Sequence, residues 1–538
     1  MPRPLAPARG PLASLLLCAV YAGGARADEP PPLSAELIDR EVEAALATAG
    51  LEPAPPADPA TWLRRVWLDL LGTLPPPEQV ERFLREDGPA ERQALVERLL
   101  ASPQAARRAS AQWTAELFDG PARDAGLALL RQAFREWLAS QLEADRPWDQ
   151  VVAEVLAGEG RTDQDPALLW ILERAGSADP ADLAGPALRQ FLGLQLECAR
   201  CHDHPFQRWT QAEFHAATAW FARLRVRPEP GLVAVFRLNE GPVGEHRAAV
   251  GGDGKQEITP GFPAGLSPAP GDEAQGEPLL PGVTRTSRRL TFARWVTSPQ
   301  NPWFARAAVN RVWARLCGAP LVSPLDDLEA AGLEGHAPLA RLLERLAAAF
   351  AQDGFSLRRL TAAIVSSRAW QRSAQGGEQQ GDERLRSVAG AARVRPLDAE
   401  ALTGALLAAA GRDVPGPGEP ARIHQALRAR LEGELSGALP VAGAARDPDQ
   451  VTTAQALTTL VGPALNGLVR GPLVSRALEV TGEEARLRRL WLLTLSRPPR
   501  AGELVHARAH VRRTKPEREA WEDLAWALVA GSEFHTNH

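Results

Sequence analysis

Two cysteines and a histidine lie within five residues of one another in the stretch LECARCHDHPFQRW, at positions 196–209. Cys198 and Cys201 are separated by two residues, and His202 follows directly. Two thiols at this spacing can add to the two vinyl groups of a haem, and a histidine at the next position can bind the iron from one side. The spacing therefore predicts a covalently attached haem c, with Cys198 and Cys201 as attachment residues and His202 as an iron ligand.

The same side chains are compatible with two other uses. Together with the nearby His204 they offer four donors that suit zinc, although a tetrahedral site usually takes two ligands from one short loop and two from a distant one. The cysteines could also form a structural disulfide or a redox-active dithiol, although the dithiol is typical of a βαβ context and the surrounding sequence predicts helices. The motif favours haem and leaves zinc and the disulfide open.

The second iron ligand is constrained by composition. Met1 is the only methionine in the 538 residues and lies in the predicted leader described below, so the mature chain has no methionine ligand to offer. His215, in the predicted helix TQAEFHAATAWFARL, is the nearest candidate for the far side of the haem, because His204 is too close in sequence to reach around the ring. A core or helix-surface histidine is the alternative interpretation of His215.

Other polar residues are assigned structural roles. Asp203 is expected to cap the helix that follows it, and Asp326 and Asp327 are expected to cap a helix rather than to form an acid/base pair. Arg311 is a candidate for a buried ion pair, and Cys317 for a buried thiol that behaves as a small apolar residue. No catalytic residue is identified, and whether the protein is an enzyme stays open.

The elements that hold these residues are predicted to be mainly α, with two helical regions joined by a small β-rich insert. Residues 28–224 show apolar residues at helical spacing, as in TWLRRVWLDLLG, and are predicted to form a helical domain that carries the cysteine motif. Residues 225–285 are dense in Gly and Pro and contain short alternating pieces such as GLVAVFRL, which predict the β-rich insert or linker. Helical spacing returns in residues 286–538, the second predicted helical domain.

Residues 1–27 are predicted to be a secretory signal peptide. Arg3 and Arg9 precede the apolar run PLASLLLCAV, and the sequence ARA at 25–27 provides a cleavage site. The run is too short to span a bilayer and no later stretch of comparable apolar character is long enough, so the mature chain is expected to lack a transmembrane segment and to be periplasmic or extracellular. With a formal charge of −5 and charges of both signs mixed along the chain, nucleic acid is not an expected partner.

Several longer stretches carry a resemblance to a known family. In the first half these are RRVWLDLLGTLPPPEQVERFL and FLGLQLECARCHDHPFQRWTQAEFHAATAWFARL. In the second half they are LTFARWVTSPQNPWFARAAVNRVWARLCGAPLVSPLDD and DLAWALVAGSEFHTNH. In this order they resemble exported planctomycete-type proteins that join a cytochrome-c-associated (PSCyt-type) domain of unknown function to a C-terminal PSD-type domain of unknown function.

A haem at the cysteine motif predicts electron transfer, or a redox step outside the cytoplasmic membrane. Many relatives carry an additional N-terminal cytochrome-like domain with its own cysteine motif, whereas residues 28–60 here contain no cysteine. Any electron transfer would therefore rest on a single centre or on a separate redox partner protein. The alternative is a non-redox envelope scaffold, or a hydrolase, in which the cysteines form a disulfide or bind zinc.

Overall fold

The computed structural model describes residues 31–118, 120, 122–177, 179–232, 235–251, 254–263, 287–329, 338–374, 383–413, 421–436, 462–514 and 516–538. The predicted signal peptide and the last part of the predicted β-rich insert lie outside these residues.

Helices dominate both halves of the described chain, as the sequence predicts. In the first half they are α1 (Ala35–Ala49), α2 (Pro59–Leu71), α3 (Pro77–Glu86), α4 (Pro89–Leu100), α5 (Pro103–Leu117), α6 (Ala125–Glu143), α7 (Trp148–Ala157), α8 (Leu169–Arg174), α9 (Ala181–Leu192) and α10 (Gln211–Thr218). In the second half they are α11 (Arg288–Val296), α12 (Pro302–Cys317), α13 (Ala340–Gln352), α14 (Leu357–Ser366), α15 (Arg368–Gln371), α16 (Glu383–Ser387), α17 (Ala399–Ala409), α18 (Ala421–Ser436), α19 (Pro463–Leu468), α20 (Val474–Ala477), α21 (Glu483–Leu495), α22 (Ala501–Arg513), α23 (Glu517–Ala530) and α24 (Ser532–His535).

Short antiparallel strands form the β structure. They are β1 (Gly160–Arg161), β2 (Leu224–Pro228), β3 (Phe236–Glu240), β4 (His246–Ala249), β5 (Lys255–Ile258), β6 (Arg395–Pro396) and β7 (Thr536–Asn537). The order β1-β3-β2 makes one sheet, in which Leu238 of β3 lies opposite both Gly160 and Val226. Strands β4 and β5 form a separate hairpin, and β6 pairs with β7. The prediction of a mainly α fold with a small β-rich insert is confirmed.

Helix α2 illustrates how local sequence defines these elements. Asp58 accepts hydrogen bonds from the N–H groups of Ala60 and Thr61, and Pro59 occupies the first helical position, where its missing N–H costs nothing. The helix ends at Gly72, whose φ of 65° suits a residue without a Cβ. Apolar periodicity alone predicts this helix, but it does not predict that two arginines at its centre are buried as deeply as the apolar residues beside them.

The two helical halves share apolar packing. One core runs through residues 37–388 and joins helices α1–α10 to helices α11–α16. A second core is built mainly from helices of the C-terminal part, and it also includes Leu68 and Leu74 from the first half. Burial of continuous apolar surface is the main favourable term in folding, so the halves stabilise one another. Within the described ranges, no helix combines the length and apolar character needed to cross a membrane.

Candidate functional site

The cysteine motif lies on a single exposed turn. Helix α9 ends at Gly193, and a short 3₁₀ helix, Glu197–Arg200, follows. Leu196 and Ala199 are fully buried and fix this turn to the core, whereas Cys198 and Cys201 point to the surface as free, exposed thiols. Alternation of buried and exposed positions along the turn therefore leaves both sulfur atoms accessible to a reaction partner. We call residues 196–209 the cysteine turn.

His202 is also exposed on this turn, and one of its ring nitrogens is already bonded. Its Nδ1 lies 2.8 Å from the backbone oxygen of Asp203. A backbone carbonyl at Nδ1 favours the tautomer with its proton there, which leaves Nε2 as the nitrogen with a free lone pair. This is the arrangement that a histidine needs to bind a metal or haem iron through Nε2.

Asp203 closes the turn onto the following helix. Its Oδ1 accepts a hydrogen bond of 2.8 Å from the N–H of Gln211, the first residue of α10. Thr210 and Glu213 add a reciprocal capping box at the same helix start, and the Gln211 side chain donates 3.1 Å to the backbone oxygen of Cys201. The prediction that Asp203 caps this helix is confirmed.

His204 has a local structural role in the same turn. Its Nδ1 accepts hydrogen bonds from the backbone N–H groups of Phe206 and Gln207, at 3.3 and 3.0 Å. Trp209 is fully buried beneath the turn, whereas Phe206 is 93% exposed. Among the residues that the structure describes, no group of three or more His, Cys, Asp or Glu side chains is placed to hold a metal ion, so the four donors of the zinc alternative do not converge.

His215 is buried, only 8% exposed, and its ring is paired with a second histidine. His215 Nδ1 lies 2.9 Å from His246 Nε2, and the ring centroids are 5.1 Å apart. Burial lowers the pKa of His215, although a hydrogen bond to the backbone of Arg200 opposes that shift. Burial and the neighbouring His215 lower the pKa of His246. The pair is therefore neutral at neutral pH, which suits metal binding, but His215 is already engaged on the protein side.

Sequence reasoning missed His246. It lies on β4, thirty-one positions beyond His215, inside a short strand with no spacing that marks a site. Only the packing of the β4–β5 hairpin against α10 brings the two rings together. The assignment of His215 to the far side of a haem stays a prediction, and it would require binding through Nε2, because Nδ1 faces His246.

The second half of the chain holds the far edge of the cysteine turn. Gln207 Nε2 donates 2.8 Å to Asp327, and Arg208 Nε lies 2.6 Å from Glu329. Main-chain contact reinforces this, because the N–H of Leu328 donates to the carbonyl of Gly193 at 2.9 Å. The turn is thus braced by a loop more than a hundred residues away.

The expectation that Asp326 and Asp327 cap a helix stays a prediction, because residues 330–337 lie outside the described residues. Within the described chain both carboxylates accept from distant side chains. Asp326 pairs with Arg311, which is only 5% exposed, and lies 3.4 Å from Arg189. Arg311 Nη1 also lies 3.7 Å from Glu116, so its assignment to a buried ion pair is confirmed.

The donor set of the cysteine turn fits a covalently attached haem. Two accessible thiols are held on one rigid turn, and the adjacent imidazole keeps Nε2 available because Nδ1 faces a carbonyl. Cys317 does not belong to this set. It lies at the end of α12, and burial raises the pKa of its thiol to about 12, which leaves it protonated and unreactive at neutral pH.

Two family models match the chain. Residues 37–226 match PSCyt2, a protein of unknown function (DUF1549), and residues 288–436 match PSD1, a protein of unknown function (DUF1553). The order of the two domains is the one that the sequence motifs indicate. Neither a curated protein nor a solved structure matches the chain.

Proposed function

Because this chain belongs to the family of proteins that join a PSCyt2 domain to a PSD1 domain, we propose that it is an exported protein with a c-type haem attached to Cys198 and Cys201. His202 is the iron ligand on the near side. The haem supplies reversible one-electron transfer when bound. In this role the protein exchanges electrons with a redox partner outside the cytoplasmic membrane, or takes part in a redox step there.

The contact of His202 Nδ1 with the Asp203 carbonyl carries this proposal. If the turn had only a structural role, the imidazole of His202 would not need a fixed tautomer. A histidine that binds iron does need one. Asp203 is in turn fixed by its bond to the start of α10, so the carbonyl that orients His202 belongs to a rigid segment. His202 is therefore oriented by the protein before any ligand arrives.

Exposure of the turn supports an exchange of electrons with another protein. Cys198, Cys201 and His202 are all exposed, and Phe206 is a large apolar side chain that protrudes from the same turn. Aromatic side chains are enriched at protein interfaces, and weak redox encounters use small contact areas. The turn thus offers both the reactive groups and an apolar contact point on one surface.

The proposal also concerns the second ligand of the iron, opposite His202. The mature chain offers no methionine, so we expect either His215 or no protein ligand there. His215 would bind through Nε2, because its Nδ1 faces His246. Spectra of the haem protein should then be those of a bis-histidine or a five-coordinate iron, and His215→Ala should alter only the former.

The test is to export the protein from a host that attaches c-type haem. We expect a Soret band, a pyridine haemochrome spectrum typical of two thioether links, and a mass that keeps the haem after denaturation. Cys198→Ser and Cys201→Ser should each change the haemochrome or lose the haem, and the double variant should lose it completely. Cys317→Ser is the matched control, because this buried thiol is outside the motif, and it should retain full haem content.

A disulfide between Cys198 and Cys201 is the alternative use of the same two exposed thiols. The protein would then be a non-redox envelope scaffold or a hydrolase. The same preparation distinguishes the two. An absence of haem together with a mass two hydrogens lighter under non-reducing conditions would reject the haem proposal, and bound zinc in elemental analysis would reject both.

A further inference from the structure

A cavity of about 430 Å³ lies where the two halves of the chain meet. Helix α2 of the first half contributes Arg65 to its wall, and helices α12 and α15 and the segment 386–395 of the second half supply most of the rest. Its volume is within the range of about 300–1,000 Å³ that is typical of small-molecule pockets. None of its lining residues belongs to the cysteine turn, so the cavity is a separate site from the one proposed above.

Large apolar side chains form much of the cavity wall. Trp313 and Trp370 contribute two indole rings, and Leu316, Leu321 and Leu339 lie beside them. These side chains are also packed into the main core, so they hold fixed positions. The indole N–H of Trp370 is already bonded to the backbone oxygen of Leu316 at 3.1 Å, which fixes the orientation of that ring. Rigid aromatic and aliphatic walls of this kind suit the apolar body of a ligand.

The charged groups that the structure describes at the wall are cationic. Arg65, Arg386, Arg393 and Arg395 line the cavity, and the described lining residues include no Asp or Glu. Clusters of arginines suit anion recognition, because the planar guanidinium group matches carboxylate, sulfonate and phosphate oxygens.

Carboxylates behind the wall offset only part of this charge. Asp69 accepts two hydrogen bonds from Arg395 Nη2, at 2.8 and 2.9 Å. Glu383 pairs with Arg393 and lies 3.9 Å from Arg386, and its own side chain is 64% exposed. Among the described side chains, the four guanidinium groups outnumber the two carboxylates that contact them. Glu383 is solvated, so its compensation is weaker than its distance suggests.

Arg65 is the most deeply buried of the four arginines, at 2% exposure. It donates to the main-chain oxygens of Trp370, Arg372 and His538, at 2.6, 2.9 and 3.1 Å, and the carboxylates of Asp69 and Asp58 act on its charge through space. Its Nη2 is buried with no hydrogen-bond partner. Burial and the adjacent Arg395 lower the pKa of Arg65 to about 10, so it is still charged at neutral pH.

We infer that this cavity binds a small organic anion with an aromatic or apolar body, such as an aromatic carboxylate or sulfonate. The indole and leucine walls hold the body, and the arginines hold the anionic group through charge-assisted hydrogen bonds. A negative ligand also reduces the electrostatic repulsion among guanidinium groups that are poorly solvated at the cavity wall. The site uses residues of both family domains, so it exists only in the joined protein.

The first test is a fluorescence titration of the full chain with 8-anilinonaphthalene-1-sulfonate, which combines an aromatic body with one negative charge. N-phenyl-1-naphthylamine, which has nearly the same body without the charge, is the matched probe. We expect saturable binding of the sulfonate at one site and binding of the neutral probe that is weaker by roughly tenfold.

Variants then locate the site. Arg386→Gln and Arg393→Gln should each weaken the sulfonate by roughly three- to tenfold and leave the neutral probe unchanged. Both arginines contact an exposed carboxylate, so these variants should fold, and a circular-dichroism melt checks this. Arg384→Gln is the matched control, because it changes an exposed arginine of the same helix that does not line the cavity. Ala392→Trp, which fills the cavity, should abolish binding of both probes.

Two results would overturn the inference. The first is equal binding of the charged and neutral probes, which would show that the cavity binds apolar molecules without recognising their charge. The second is an identical response of Arg384→Gln and Arg393→Gln, which would place the anion elsewhere on the surface. Retention of binding by a folded Ala392→Trp protein has the same meaning as the second result.

Discussion

The cysteine turn and the junction around Arg65 use similar residues in opposite environments. Cys198 and Cys201 are exposed and lie three positions apart, whereas Cys317 at the junction is held in the core with its thiol pKa raised to about 12. The arginines differ in the same way, since Arg200 on the turn pairs with surface carboxylates and Arg65 donates to backbone oxygens in the core. Burial therefore determines the chemistry of each side chain. The exposed thiols remain reactive, whereas the buried thiol and guanidinium group stabilise the fold or form part of the cavity wall.

The cysteine turn and the Arg65 junction should differ most in their contribution to stability, and substitutions at the junction should lower the free energy of unfolding most. Arg65→Met would leave two buried main-chain oxygens and one partly buried oxygen without their donor, which should lower the free energy of unfolding by about 3–5 kcal/mol. Urea unfolding followed by circular dichroism measures this. The exposed Arg82→Met is the matched control and should stay within about 0.5 kcal/mol of the parent protein. A similarly small change for Arg65→Met would show that the hydrogen bonds of Arg65 do not stabilise the contact between the two halves.

A smaller effect is expected at the loop that forms part of the cavity wall. Asn310 is fully buried, donates 2.7 Å to the backbone oxygen of Val322 and accepts 3.1 Å from its N–H. Asn310→Ala should cost about 2 kcal/mol, because both main-chain groups lose their partner. It should also weaken the sulfonate probe, since Leu321 and Ser323 on either side of Val322 line the cavity. If the variant is destabilised but binds the sulfonate probe as the parent protein does, the loop around Val322 does not contribute to the binding site.

Asp327→Ala tests the contact between the cysteine turn and the second half of the chain. Removal of the acceptor for Gln207 should lower global stability by only about 1 kcal/mol, because the contact is partly exposed. Locally, amide hydrogen exchange of residues 201–209 should become faster, since the turn loses its brace to the second half. Exchange at the Arg65 junction should stay unchanged, and faster exchange at both places would mean that the two regions unfold together.

The smallest stability effect is expected at the cysteine motif itself. In protein produced without haem attachment, Cys198→Ser with Cys201→Ser should change the free energy of unfolding by less than about 0.5 kcal/mol, because both side chains are exposed. Cys317→Ala offers the opposite case, since it removes a buried sulfur and should cost about 1 kcal/mol. A loss of several kcal/mol in the serine double variant would indicate that a disulfide stabilises the turn.

Much of the fold follows from the sequence because helical periodicity and end signals act over a few residues. The helical spacing of α2 and the cap provided by Asp203 were both accessible in this way. The distant partners of Asp326 and Asp327 could not be predicted, because a short aspartate pair in a loop does not show which arginine or glutamine it meets. The partnership of His215 with His246 could not be predicted, since no local rule relates a helix to a hairpin thirty-one residues away.

By itself the sequence determined the helical character of the chain, the order of its two domains and the spacing of the cysteine motif, because each of these depends on residues close together in the chain. Only the tertiary structure decided which thiols are accessible, which nitrogen of His202 is left available, and that Arg65 meets residues more than three hundred positions away at one cavity. Burial and hydrogen-bond partners depend on the packing of distant elements, and those contacts leave no periodic trace in the sequence.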